Sequence, residues 1–143
     1  MKMDDWIEIL AAELPAARCV EFVSDGRAGG IDIFLGTTRA EKSSSGQDLL
    51  SLDYEAYEEM ALQQLRDLAK RAREKWPIVK LVILHRIGRV EVGKPSVAIA
   101  VSTPHRAQAF EACKYLIDQL KADIAIWKKE VWSDGSSSWI HPH

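Results

Sequence analysis

Three short stretches of the sequence hold residues whose types and spacing could do chemistry. In Thr103-Pro104-His105-Arg106 an imidazole and a guanidinium stand at a predicted helix start, with Thr103 as N-cap and Pro104 at the first helical position. A helix start presents unpaired N–H groups and a positive dipole end, so the segment is a candidate anion site. First-turn cations oppose the dipole, a small cost that an anionic ligand would reverse; a plain solvated turn would look the same. Lys121, Lys128 and Lys129 form the second group. Lys121 falls at the predicted end of that helix, where the dipole favours a cation anyway. Lys128 lies between Ile126-Trp127 and Val131-Trp132, and bulky neighbours would desolvate its ammonium and draw it toward general acid–base use, unless it is an ordinary edge-strand lysine. The third stretch, Gly36-Thr37-Thr38-Arg39, closes a strand-like run and suits either a ligand clamp or a simple turn.

Other reactive residues fit structural roles better. His85, His105, His141 and His143 lack metal-ligand spacing, and His141 and His143 read as a frayed end. Cys113 falls on the buried stripe of its helix, as a core thiol would. No pattern calls for a bound metal or cofactor, and no phosphate loop, nucleophile elbow or paired catalytic carboxylates occur.

The elements that must position these residues follow from hydrophobic period. Asp4 to Leu14 has the spacing of a short amphipathic helix closed by Pro15, while Arg18 to Val23 and Ile31 to Thr37 read as strands around a glycine-rich turn. Ala40 to Asp48 is a polar surface loop. Leu50 to Ala56 alternates as a half-buried strand, and the period then lengthens into a helix over roughly Tyr57 to Trp76, stopped by Pro77. Ile78 to Ile87 and Val97 to Ser102 are Val/Ile/Leu-rich buried strands. The second long helix follows, with Ala109, Phe110, Cys113, Leu116, Ile117 and Leu120 as its buried stripe, and Ile126 to Trp132 is a final strand before a turn into Trp139-Ile140. Strands and helices in this order predict a single α+β domain over residues 1–143, two helices packed on a mostly antiparallel sheet.

Composition narrows the function classes. The 143 residues are 47% hydrophobic and 28% charged, an ordinary globular mixture that excludes disorder and coiled coil. With 19 Lys plus Arg against 21 Asp plus Glu, the formal charge of −2 argues against a general nucleic-acid or membrane-surface binder, so any basic site must be local. A small RNA-binding domain using Arg39, Arg106 and the lysines would also need an aromatic stacking platform, which is not evident. Two cysteines without a framework, an acidic start and no long apolar run lead us to expect a cytoplasmic protein.

Seven stretches in order, Ile33-Phe34-Leu35-Gly36-Thr37-Thr38-Arg39, Leu52-Asp53-Tyr54-Glu55-Ala56-Tyr57, Met60-Ala61, His85-Arg86-Ile87-Gly88, Val101-Ser102-Thr103-Pro104-His105-Arg106, Phe110-Glu111-Ala112 and Ile126-Trp127-Lys128-Lys129-Glu130, give the chain its resemblance to one family. It resembles the large, catalytic subunits of molybdopterin synthase. The resemblance implies an α/β hammerhead-like fold and a homodimer that binds two small ubiquitin-like subunits in a heterotetramer. It implies sulfur transfer from the small subunit's C-terminal Gly-Gly thiocarboxylate to cyclic pyranopterin monophosphate, forming the dithiolene of molybdopterin. By motif position, Lys121 and Lys128 would be the catalytic lysines. Thr37, Thr38, Arg39, His105, Arg106, Lys129 and Glu130 would bind substrate in the same pocket. A proline usual in the family is replaced by Ala125, so a looser link between the two lysines is expected. A non-catalytic binding module of the same fold is the alternative.

Overall fold

The computed structural model describes residues 4–140. The described residues form two four-stranded sheets and three helices, an α+β fold with one more sheet than the sequence suggests. The first sheet has β1 (Asp5–Leu10), β4 (Lys80–Arg86), β6 (Pro95–Thr103) and β2 (Gly30–Thr37) in that spatial order. β1 runs parallel to β4, and the other pairings are antiparallel. The second sheet, wholly antiparallel, orders β5 (Gly88–Glu91), β3 (Leu49–Ala56), β7 (Ile126–Trp132) and β8 (Ser137–Ile140).

The central strands β4 and β6 are buried on both faces, which explains their unbroken apolar sequence. Leu81, Ile83, Val97, Ile99 and Val101 face one core, shared with α2 (Glu58–Lys75) and α3 (Arg106–Asp123). Val82, Leu84, Ala98 and Ala100 face a smaller core closed by Cys19 and Val23 of α1 (Ala16–Val23). The inward residues of the second sheet, Leu52, Tyr54, Val90 and Ile126, join the larger core.

The N-terminal elements exchange the identities expected of them. Asp5–Leu10 is a strand rather than a helix: β4 offers a parallel ladder, and Ile7 and Ile9 pack on one core while Trp6 and Leu10 pack on the other. Ala16–Val23 is a helix rather than a strand, because Cys19 and Val23, four residues apart, reach the same core from one face. On α3 the expected stripe holds except at Phe110, which is 59% exposed. β5 occupies a stretch that reads only as turn-rich, and Lys42 and Asp48 form an isolated bridge within the polar loop.

Candidate functional site

Residues at the beginning of α3 gather around a glycine corner. Thr103 is still the last residue of β6, paired with Gly30, so the helix starts at Arg106 with His105 as its N-cap, two residues later than the Thr103-Pro104 pattern suggests. The Thr103 hydroxyl donates to the His105 carbonyl at 2.7 Å, and Gln108 Oε1 accepts the His105 N–H at 3.1 Å. A Cβ at Gly29 would meet the Pro104 carbonyl oxygen, and one at Gly30 would lie 2.7 Å from Arg106 Cα. Only glycines let the strand approach the helix start so closely. The result is an open cavity of about 470 Å³ lined by Gly29, Pro104, His105, Arg106 and Ala107, with the His105 and Arg106 side chains exposed beside the helix terminus. The structure thus brings His105, Arg106 and the start of α3 together in one corner.

The lysines gather elsewhere. β7 pairs with β3 so that Lys128 lies opposite Tyr54, and strand alternation puts Ile126, Lys128 and Glu130 on the core-side face with Leu52 and Tyr54. The Tyr54 ring meets the His85 imidazole edge-on, centroids 5.0 Å apart, and the Tyr54 hydroxyl bonds to Ser96. His85 is fully buried and its Nδ1–H donates to the Arg86 carbonyl at 2.9 Å. Burial pulls its pKa down to about 4, and the Lys121 charge adds to that effect. Lys128 therefore lies opposite Tyr54, and Lys121, at the exposed end of α3, is near enough for its charge to act on His85. Composition and spacing alone would not single out either ring, although both fall within the matching motifs.

The clamp candidates lie at this second end. β2 and β6 pair from Gly30–Thr103 to Thr37–Pro95, and His85 pairs with Val97, so Thr37, Thr38 and Arg39 emerge beside the His85 end of the sheet. Thr38 is buried, its N–H donating to the Lys94 carbonyl and its carbonyl accepting from Gly93 N–H. Its Oγ1 finds no partner among the described residues. Arg39 and Thr37 are exposed.

Within one chain the candidates therefore form two groups, not the single cluster expected. Arg106 and Lys121 are fifteen residues apart on one helix, about 22 Å at 1.5 Å per residue. The seven steps along β2 from Gly30 to Thr37 span about 23 Å. His105 and Arg106 stand at one end of the sheet, and Arg39, Lys121 and Lys128 stand at the other. Lys129 departs from the expected pocket as well: strand alternation turns it to the outer face, where its Nζ lies 5.3 Å from the Trp139 ring centroid.

The link between the lysines is pinned rather than loose. Ala125 donates its N–H to Gln64 Oε1 at 2.8 Å, a bond a proline could not make, and its carbonyl accepts from Tyr57 N–H. Cys113 is buried, and desolvation, with Asp32 beside it, pushes its thiol up to about 12, as befits core rather than nucleophile. Among the described residues no three His, Cys, Asp or Glu side chains group as a metal site. His141 and His143 lie outside the described residues.

Comparison with known proteins gives one consistent answer. The family model "MoaE protein" matches residues 9–123. The chain is 42% identical over 140 residues to a molybdopterin synthase catalytic subunit of Nostoc, covering 97% of this chain and 84% of that one. It is 41% identical over 138 residues to the human protein of that name, covering 96% and 72%. The crystal structure of molybdopterin synthase from Staphylococcus aureus superposes with a TM-score of 0.88 at 34% identity, over 94% of this chain and 96% of that one. A Helicobacter pylori complex of subunits 1 and 2 of molybdopterin-converting factor shares the fold, with a TM-score of 0.77 at 19% identity, over 96% and 91%. The chain belongs to the MoaE family, the catalytic subunits of molybdopterin synthase, enzymes of molybdenum cofactor biosynthesis.

Proposed function

We propose that this chain is a sulfurtransferase that uses Lys121 and Lys128 to move sulfur from the C-terminal thiocarboxylate of a small ubiquitin-like subunit onto cyclic pyranopterin monophosphate. The observation that carries the reading is Lys128 opposite Tyr54, beside the buried His85 that feels the Lys121 charge, at the sheet end where Arg39 emerges. Thiocarboxylate attack and opening of a cyclic phosphate both build negative charge, which two ammonium groups stabilise while they shuttle protons. Glu130 shares the Lys128 face, which supports a role in orienting that lysine. The two cysteines are buried, so sulfur arrives on the partner's tail rather than on a protein thiol. Free thiols also suit the reducing cytoplasm.

The phosphate falls to His105 and Arg106, about 22 Å from the lysines along α3. One chain does not span that gap, so we assign the pair to the neighbouring protomer of a homodimer, each site taking its anion-binding corner from one copy and its lysines from the other. With a small subunit on each site the assembly is a heterotetramer.

The test is conversion of the cyclic precursor by this chain plus a thiocarboxylated small subunit. Lys121→Ala or Lys128→Ala should abolish product with circular dichroism unchanged, and a fully active Lys128→Ala protein refutes the assignment. Shared sites add a sharper check: Arg106→Ala and Lys128→Ala chains, each inactive, should on mixing recover about one quarter of wild-type activity, because half of randomly paired dimers carry one intact site. No recovery, with exchange of chains demonstrated, rejects the shared site.

A further inference from the structure

The outer face of the second sheet, turned away from the lysines, carries a cleft that sulfur transfer does not use. It has a volume of about 200 Å³ and is lined by Glu55, Ala56, Tyr57, Trp127 and Trp139. Tyr57 and Trp127 stand edge to face, centroids 4.9 Å apart at 80°, and Glu55 is the cross-strand partner of Trp127. Tyr57 is 64% exposed and Trp139 51%, so aromatic surface is left to solvent here.

Size and charge decide what fits. The volume is below the roughly 300–1,000 Å³ of pockets that enclose whole small ligands, and suits one long side chain. An apolar occupant would strip water from Glu55, whose carboxylate has no ion pair or side-chain hydrogen bond among the described residues, and leave that charge unpaired. An anion would be repelled by Glu55 and by Glu58 and Glu59, exposed in the adjoining first turn of α2. A cation pairs with the carboxylate and stacks on indole and phenol faces. A cation already lies over an indole on the same face, where Lys129 Nζ is 5.3 Å from the Trp139 ring centroid without lining the cleft.

We propose that this cleft is a docking site for a basic side chain, arginine above all, presented by a partner protein. Arginine is favoured because its planar guanidinium can stack on a ring while bonding to a carboxylate. The site is independent of the sulfur-transfer reading and can stand or fall without it.

The experiment is a titration of the ¹⁵N-labelled protein with N-acetyl-arginine amide, followed on the tryptophan indole N–H signals, with Trp127 and Trp139 identified from single Trp→Phe variants. Saturable shifts confined to those two indoles and the Glu55–Tyr57 backbone amides are expected, with dissociation constants in the millimolar range. N-acetyl-citrulline amide, the neutral isostere, should bind about tenfold more weakly. Glu55→Gln should weaken the arginine probe to the level of citrulline while the amide spectrum stays dispersed, which separates lost charge from lost fold. Equal binding of the two probes, shifts centred on another surface, no saturable shift, or an undiminished response in Glu55→Gln would each overturn the proposal.

Discussion

Acidification from about pH 7.5 to about pH 5 should destabilise this protein through His85 specifically. In the folded chain the imidazole stays neutral down to about pH 4, whereas its ordinary value is 6.5. Between those values the unfolded chain binds a proton that the folded chain refuses, so stability is full above the ordinary value and falls with pH toward the depressed one. With these two values, the loss between about pH 7.5 and about pH 5 is about 2 kcal/mol, and it approaches about 3 kcal/mol at the lower limit. For a chain of this size that corresponds to a melting point lower by about 4–8 °C. The assay is urea unfolding by circular dichroism at both pH values for wild type and for His85→Gln, whatever the starting stability of the variant. The wild type should lose about 2 kcal/mol more than the variant over this interval. The carboxyl groups of Asp25 and Asp134, both held below their ordinary value of 3.8 by hydrogen bonds from Arg27 and Ser136, titrate under this window and do not contribute to the difference. Equal losses in the two proteins would refute the claim that His85 is kept neutral by burial.

Lys129→Ala should keep synthase activity within about threefold and cost under about 1 kcal/mol of stability, since it removes an exposed cation–π contact with Trp139 and nothing on the lysine-site face; activity assay and urea melts check both. Gly30→Ala should lower stability by about 1–3 kcal/mol and weaken pterin phosphate binding, because its Cβ would lie 2.7 Å from backbone at Arg106, and isothermal calorimetry measures that loss. Cys19 and Cys113 should both resist iodoacetamide at mildly alkaline pH until urea unfolds the chain, as buried thiols with raised pKa values do; mass spectrometry counts the adducts.

What was legible in the sequence tracks how strongly period and environment agree. β3 and α2 adjoin each other, and the change from period two at Leu52-Tyr54-Ala56 to period three and four at Ala61-Leu65-Leu68-Ala72 marks both elements, but the alternation fails at the start of β3, where a register shift between Leu49 and Ser51 leaves Leu50 42% exposed and buries Ser51. β4 and β6 are legible for another reason: both faces are covered, so every position is apolar. The N-terminal segment fails on the same physics. Six residues of edge strand between two cores alternate Trp6 and Leu10 against Ile7 and Ile9, and so short a run also fits helical spacing until β4 supplies the ladder. Phe110 misleads because an aromatic residue near a helical stripe reads as core, while α3 leaves it at the surface.

The candidate residues can be listed from the sequence, but how the fold distributes them cannot. Spacing along a sequence assigns residues to elements, but the lengths of α3 and β2, each more than 20 Å by its rise, set which assigned residues can meet. The same rule acts at shorter range in β7, where one step separates Lys128, on the face with Tyr54, from Lys129, stacked on Trp139 outside. A formal charge of −2 is consistent with this arrangement, since cations held in small groups at opposite ends and faces need not make the whole molecule basic. On the proposed reading the site must take both a pterin phosphate and an inserted tail, while one copy holds the candidate groups at two ends. The proposed division of the binding groups between two copies of the fold would meet that need, at the cost of making each site depend on assembly. Activity should then fall with protein concentration once dimers dissociate, and Lys121 and Lys128 should lose their function in the isolated protomer although their surroundings remain folded.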